Sequence, residues 1–141
     1  MTAFAAILQA LQGDAALAAI LTGGLYDGLA VQDISRQATP DAYDEWGEVQ
    51  PVGLLKPETQ TPAGPLPDSS RLFVTLWLYQ QNGSVQIDAA RERAYQVLHR
   101  AKLAGMWEVR HAGDVLGAEV QGLELPVMMS RYVATVNRGG A

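Results

Sequence analysis

The chain has no cysteine in its 141 residues. Disulfides and thiolate metal sites are therefore excluded, and nothing constrains the redox compartment. Charge is also scarce. Charged residues make up 18%, against about a quarter in an average domain. That scarcity leans towards an oligomer, whose interfaces replace solvated surface. Only two histidines occur, His99 and His111, and neither stands in a catalytic or metal-binding motif. There is no G-x-S-x-G elbow, P-loop, G-x-G-x-x-G or H-E-x-x-H. The opening MTAFAAILQALQGD has no basic n-region and its apolar run is broken by Gln9 and Gln12. Neither a signal peptide nor a membrane span is expected there, and a cytoplasm is the expected place of synthesis.

Basic residues are scarce where acidic ones gather. Residues 1–70 hold nine acidic and two basic side chains, net −7; residues 71–141 hold six and eight, net +2. The sum of −5 leaves no basic stripe for tracking a phosphate backbone, so sequence-specific nucleic-acid binding is not expected. The split in sign is either ordinary solvated surface or an aid to docking between subunits.

What is present centres on residues 71–104, RLFVTLWLYQQNGSVQIDAARERAYQVLHRAKLA. A strand over 72–79 has two apolar faces: Leu72, Val74, Leu76 and Leu78 on one, Phe73, Thr75, Trp77 and Tyr79 on the other. A half-exposed strand alternates apolar with polar residues, so this one is read as covered on both sides. Two covers fit. The strand is central within its own domain, or its aromatic face is buried by another subunit, aromatics being enriched in interface cores. On the second reading Phe73, Thr75, Trp77 and Tyr79 are the subunit-interface candidates.

The next segment reads as a helix capped by Ser84, with Asp88 near its positive end and Arg100 and Lys102 in its last turn before Gly105. Ile87, Ala90, Ala94, Val97, Leu98 and Ala101 form its apolar stripe.

Towards the N-terminus, residues 3–11 give a short helix striped by Phe4, Ile7, Leu8 and Leu11. Asp14 caps a second one ending at Leu21, and residues 25–28 are a short extended piece before a turn. Residues 48–55 are expected as a strand whose Pro51 demands an edge or a bulge. Residues 56–70, KPETQTPAGPLPDSS, then read as a long proline-rich hairpin loop. Lys56, Glu58, Pro62, Pro65, Leu66 and Pro67 are its candidate contacts with a neighbouring protein. Residues 106–111 alternate with Trp107 and Val109 inward. Residues 112–114 are a turn, 119–125 a further strand, and 127–136 the last one.

The expected architecture is one α+β domain over 1–141, a mostly antiparallel sheet of four to five strands with helices on one face. Asp41, Asp44 and Glu45 cluster without the alternate ligand spacing and bend glycine of a calcium loop, so no metal or other cofactor is expected. Ser130 lies in a strand, and His111 with Asp114 is read as a turn-stabilising pair. No catalytic residue emerges, and no enzyme is expected.

The layout resembles the tail terminator, or tail completion, proteins of long-tailed bacteriophages. The resembling pieces are LQALQGDAALAAILTGGLYDG, the strand entering VQIDAARERAYQVLHRAKL with Ala90, Ala94 and Leu98 facing the sheet, and the closing RYVATVNR. The resemblance implies a cyclic homo-oligomer, commonly a hexamer, that caps the tail tube. Its partners would be the tail tube protein and a neck or head-completion protein, with DNA passing through the lumen. It implies residence in the virion after assembly in the host cytoplasm. Head-tail connector and head-closure ring proteins share the same small α+β character and are the alternative. A monomeric ligand- or peptide-binding module using Phe73, Trp77 and Tyr79 is a further one.

Overall fold

The computed structural model describes residues 2–62, 69–118 and 125–137. Its elements run in the order α1 (Ala3–Gln12), α2 (Ala15–Ile20), β1 (Leu25–Asp27), β2 (Val52–Pro62), β3 (Ser69–Tyr79), α3 (Val85–Leu98), β4 (Met106–Val115) and β5 (Val127–Asn137). The five strands form one sheet in the order β1-β2-β3-β5-β4. Only β1 with β2 is parallel. The fold is α+β, as the order of helices and consecutive strands implied.

Local chemistry sets the N-terminal pair of helices. Thr2 accepts a hydrogen bond from the Ala5 N–H and starts α1; Asp14 does the same for Leu17 and starts α2. These side chains satisfy N–H groups that the first turn leaves open. Phe4, Ile7, Leu8, Leu11 and Leu17 are buried. They meet Leu72, Val74, Leu76 and Leu78 of β3 and Ile87, Ala90, Ala94 and Leu98 of α3 in the main core. The two alanines let α3 lie close on the sheet. At about 0.8 kcal/mol per buried methylene this layer supplies most of the burial energy.

Helix α3 departs from expectation at both ends. Ser84 stands at the N-cap, but its hydroxyl makes no capping bond. Instead the Gln80 carbonyl oxygen of the side chain accepts from the Ile87 N–H at 3.3 Å. The helix ends at Leu98, before Arg100 and Lys102. Arg100 takes the left-handed conformation, φ 66°. Its N–H donates to the Val109 carbonyl, and the Val109 N–H donates to the Ala101 carbonyl. Pairing with β4 has replaced the last helical turns, a tertiary contact overriding local propensity.

Strand β2 is longer and later than residues 48–55. Residues 48–50 contribute only an isolated bridge, Val49 to Tyr43. The hairpin arms pair from Val52↔Tyr79 to Pro62↔Ser70. Lys56, Glu58 and Pro62 are therefore strand residues, and the connection narrows to 63–68, outside the described residues along with Pro65, Leu66 and Pro67. Pro57 is tolerated because β1 pairs only as far as Leu55, and because the register shifts between Pro57 and Thr59.

In β4 the expected turn 112–114 is a bulge, with Gly113 at φ 141°. A second bulge, between Met106 and Glu108, takes Trp107 out of the inward row and leaves it 58% exposed. The expected strand 119–125 falls almost wholly outside the described residues.

Candidate functional site

The second face of the sheet carries the interface candidates, and β3 register orders them in rows. Val52, Tyr79 and Val127 form one row, and Leu54, Trp77 and Met129 the next. Lys56, Thr75 and Arg131 follow, then Thr59, Phe73 and Val133, then Thr61, Arg71 and Thr135. The first rows are closed by the chain itself. Ile34, Ala42 and Val49, from the irregular stretch between β1 and β2, pack with Val52, Leu54, Tyr79 and Val127 in a second core.

The four aromatic-face positions thus have different fates. Tyr79 is fully buried in that second core, where burial pushes its hydroxyl pKa up. Thr75 is buried and accepts a hydrogen bond from the Trp77 indole at 3.1 Å. Trp77 is half-buried at the boundary, 5.7 Å from the Lys56 ammonium. Lys56 in turn pairs with Asp33 at 3.4 Å. Phe73 is half-buried in the part that the loop leaves uncovered. The uncovered half centres on Phe73 and Val133 and is rimmed by Arg71, Arg110 and Arg131. Glu58 pairs with Arg131 at 3.3 Å and Glu108 with Arg110 at 3.0 Å.

The densest polar cluster lies on the helix side, between α3, β4 and β5. Asp114 is its hub. His111 Nε2 lies 2.8 Å from its Oδ1, the Ser130 hydroxyl donates to the same oxygen at 2.6 Å, and Arg91 donates to Oδ2 at 2.9 Å. Burial pushes the Asp114 carboxyl up, but His111, Ser130 and Arg91 together hold it below the usual range. Arg91 is also held by Asp88, and Tyr95 stacks on His99 at 4.7 Å.

The residue types are those of a catalytic triad, but the order is not. In a triad histidine stands between the hydroxyl and the carboxylate and takes the proton. Here the carboxylate stands between: the Ser130 hydroxyl and the His111 ring both meet Asp114 Oδ1, and no hydrogen bond joins His111 to Ser130 among the described residues. The cluster ties two strands to a helix. The His111–Asp114 pair was legible in the sequence; Arg91 and Ser130 were not, because the contacts come from other elements.

The acidic stretch is also occupied with structure. Asp44 Oδ1 accepts from the Trp46 and Glu48 N–H groups, both at 2.9 Å, and so builds the turn 44–48. Among the described residues no group of His, Asp or Glu has the arrangement to hold a metal ion. Trp46 stands 78% exposed at the tip of that turn. A cavity of about 100 Å³ lies among Leu11, Leu17, Leu21 and Leu25 and is chiefly apolar. No described helix is long and apolar enough to cross a membrane.

No family model matches the chain, and no curated protein matches it. Among solved structures it is similar to a chain from the virion of a native gene transfer agent (GTA) particle. The TM-score is 0.71 at 17% identity, covering 96% of this chain and 94% of that one. At that identity the likeness is one of fold, and it extends over nearly the whole of both chains.

Proposed function

We propose that this protein is a structural component of a phage-like virion and acts as its tail terminator. It forms a cyclic homo-oligomer, hexameric as in the family it resembles, which closes the tail tube and joins it to the neck or head-completion protein. The observation that carries this reading is the near end-to-end fold likeness to a chain of a gene transfer agent virion. The uncovered, half-apolar sheet face supports it, since closed rings are built from such heterologous contacts. The net charge of −5 suits a lumen through which DNA slides without sticking. In this role the protein catalyses nothing, takes no cofactor, and sits in the virion after assembly in the host cytoplasm.

A head-closure or neck ring draws on the same fold likeness, which is to a virion chain and to no particular position within the particle. A monomeric binding module fits less well, because the chain's own loop closes half of the aromatic face. Pull-down with purified tail tube protein and with neck protein separates the first two. Capture of the tube end, seen by negative-stain microscopy as capped tubes of fixed length, supports the terminator. Binding to the neck protein alone contradicts it.

A further inference from the structure

The two ends of β3 present complementary surfaces. Beyond its C-terminal end stands the turn 44–48, tied down by hydrogen bonds from the Gln81 N–H to the Val49 carbonyl and from the Asn82 amide to Glu48. The turn is built before any partner arrives. Asp44 holds two of its N–H groups, Gly47 turns at φ 80°, and the Arg36 guanidinium lies against Gly47. Its tip offers an indole that is 78% exposed, beside the exposed carboxylate of Glu45. Residues 40–48 hold four acidic side chains and no basic one.

At the other end lies the uncovered sheet half. Phe73 and Val133 pair across the strands at its centre, with exposed Arg71, Arg110 and Arg131 around them. Glu58 and Glu108 partner two of these arginines, and Arg71 has no ion-pair partner among the described residues.

We infer that the Trp46 turn of one copy docks on the Phe73–Val133 patch of the next copy, with Glu45 facing Arg71. The inference rests on the ring reading above and names the contact that would build the ring. Charge selects the occupant, because the acidic turn and the arginine-rimmed patch are opposite in sign and belong to the same chain. A rigid turn loses little freedom on docking. Tryptophan and arginine are the side chains that most often dominate such contacts.

Geometry prevents a copy from satisfying itself. Arg71 precedes Tyr79 by eight strand residues, about 26 Å at the usual rise. The contact is therefore heterologous, and only a closed ring leaves no turn and no patch unused. Strand addition is obstructed at the β2 edge, where residues beyond Leu55 carry Pro57 and a bulge.

The absence of native cysteine makes the test direct. Glu45→Cys and Arg71→Cys are placed together in one chain and oxidised in solution. A disulfide needs Cα atoms within about 7 Å, so these two positions bridge only between copies. The expected result is a ladder of covalent multimers ending in a closed ring, with no ladder from either single variant. Charge exchange gives a second readout. Glu45→Arg and Arg71→Glu each raise the concentration for half-assembly about tenfold, and the two together recover most of the loss. A wild-type oligomer with no ladder and no response to charge exchange overturns this contact while leaving the ring standing. A wild-type monomer, by light scattering alone and with tail tubes, overturns both.

Discussion

Tyr79 and Tyr132 each bury a hydroxyl that has no hydrogen-bond partner among the described residues. Burying an unpaired polar group opposes folding, so Tyr79→Phe should leave stability unchanged or raise it by up to about 1 kcal/mol in urea unfolding. Tyr79→Ala should cost about 3–5 kcal/mol, because the ring fills the second core. Phe73→Ala, by contrast, should barely move the unfolding midpoint and should weaken assembly. Phe73 and Tyr79 are six positions apart on one face of one strand. In the sequence they were equivalent, since alternation tells which face a side chain takes and not what covers that face. The cover over Tyr79 comes from Ile34 and Ala42, in a stretch without periodicity, and from Val49, which was expected in a strand but makes only an isolated bridge. The capping role of Asp14 was legible, because a cap is local: its carboxylate meets the Leu17 N–H three residues on. Its bidentate pairing with Arg93, 79 positions away, was not. Asp14→Ala should cost about 1 kcal/mol from the lost cap alone.

Elements were legible where the pattern ran uninterrupted and misread where pairing competed with propensity. Of the expected stripe, Ile87, Ala90, Ala94 and Leu98 are fully buried in the core, Val97 packs against it partly buried, and Ala101 lies beyond the end of the helix. Ala94→Leu should therefore overpack the helix against the sheet and cost about 1–3 kcal/mol. The end of α3 was misplaced because residues 100–101 take hydrogen bonds with Val109 that only the folded sheet provides. Strand β2 runs on to Pro62 past the expected end at residue 55, because the missing N–H of Pro57 falls where β1 no longer pairs.

The Asp114 cluster holds β4, β5 and α3 together and gives a pH prediction. Its hydrogen bonds keep the Asp114 carboxyl below the ordinary value. A depressed carboxyl contributes stability above its unfolded pKa, about 3.9, and loses it as pH falls through the folded value. Asp114→Asn should thus destabilise by about 1–3 kcal/mol near neutral pH, and the deficit should shrink below about pH 4. A deficit that is the same at both pH values contradicts the role of that carboxylate.

At the scale of the whole molecule the order of helices and strands, the mostly antiparallel sheet and the helical layer on one face were all implied by periodicity and turn residues. What periodicity could not supply was the division of the second sheet face into a closed half and an open half. That division decides how the molecule works under the ring reading. On that reading the closed half belongs to each copy's own second core, and the open half is left for a neighbour. Under the proposed function the protein works by association, and light scattering tests that most directly, with the protein alone and mixed with tail tubes. A closed assembly at a whole-number multiple of 15.1 kDa is expected, seen as rings by negative stain and as caps on tube ends. A 15.1 kDa species under both conditions, with tube ends left bare, would contradict it.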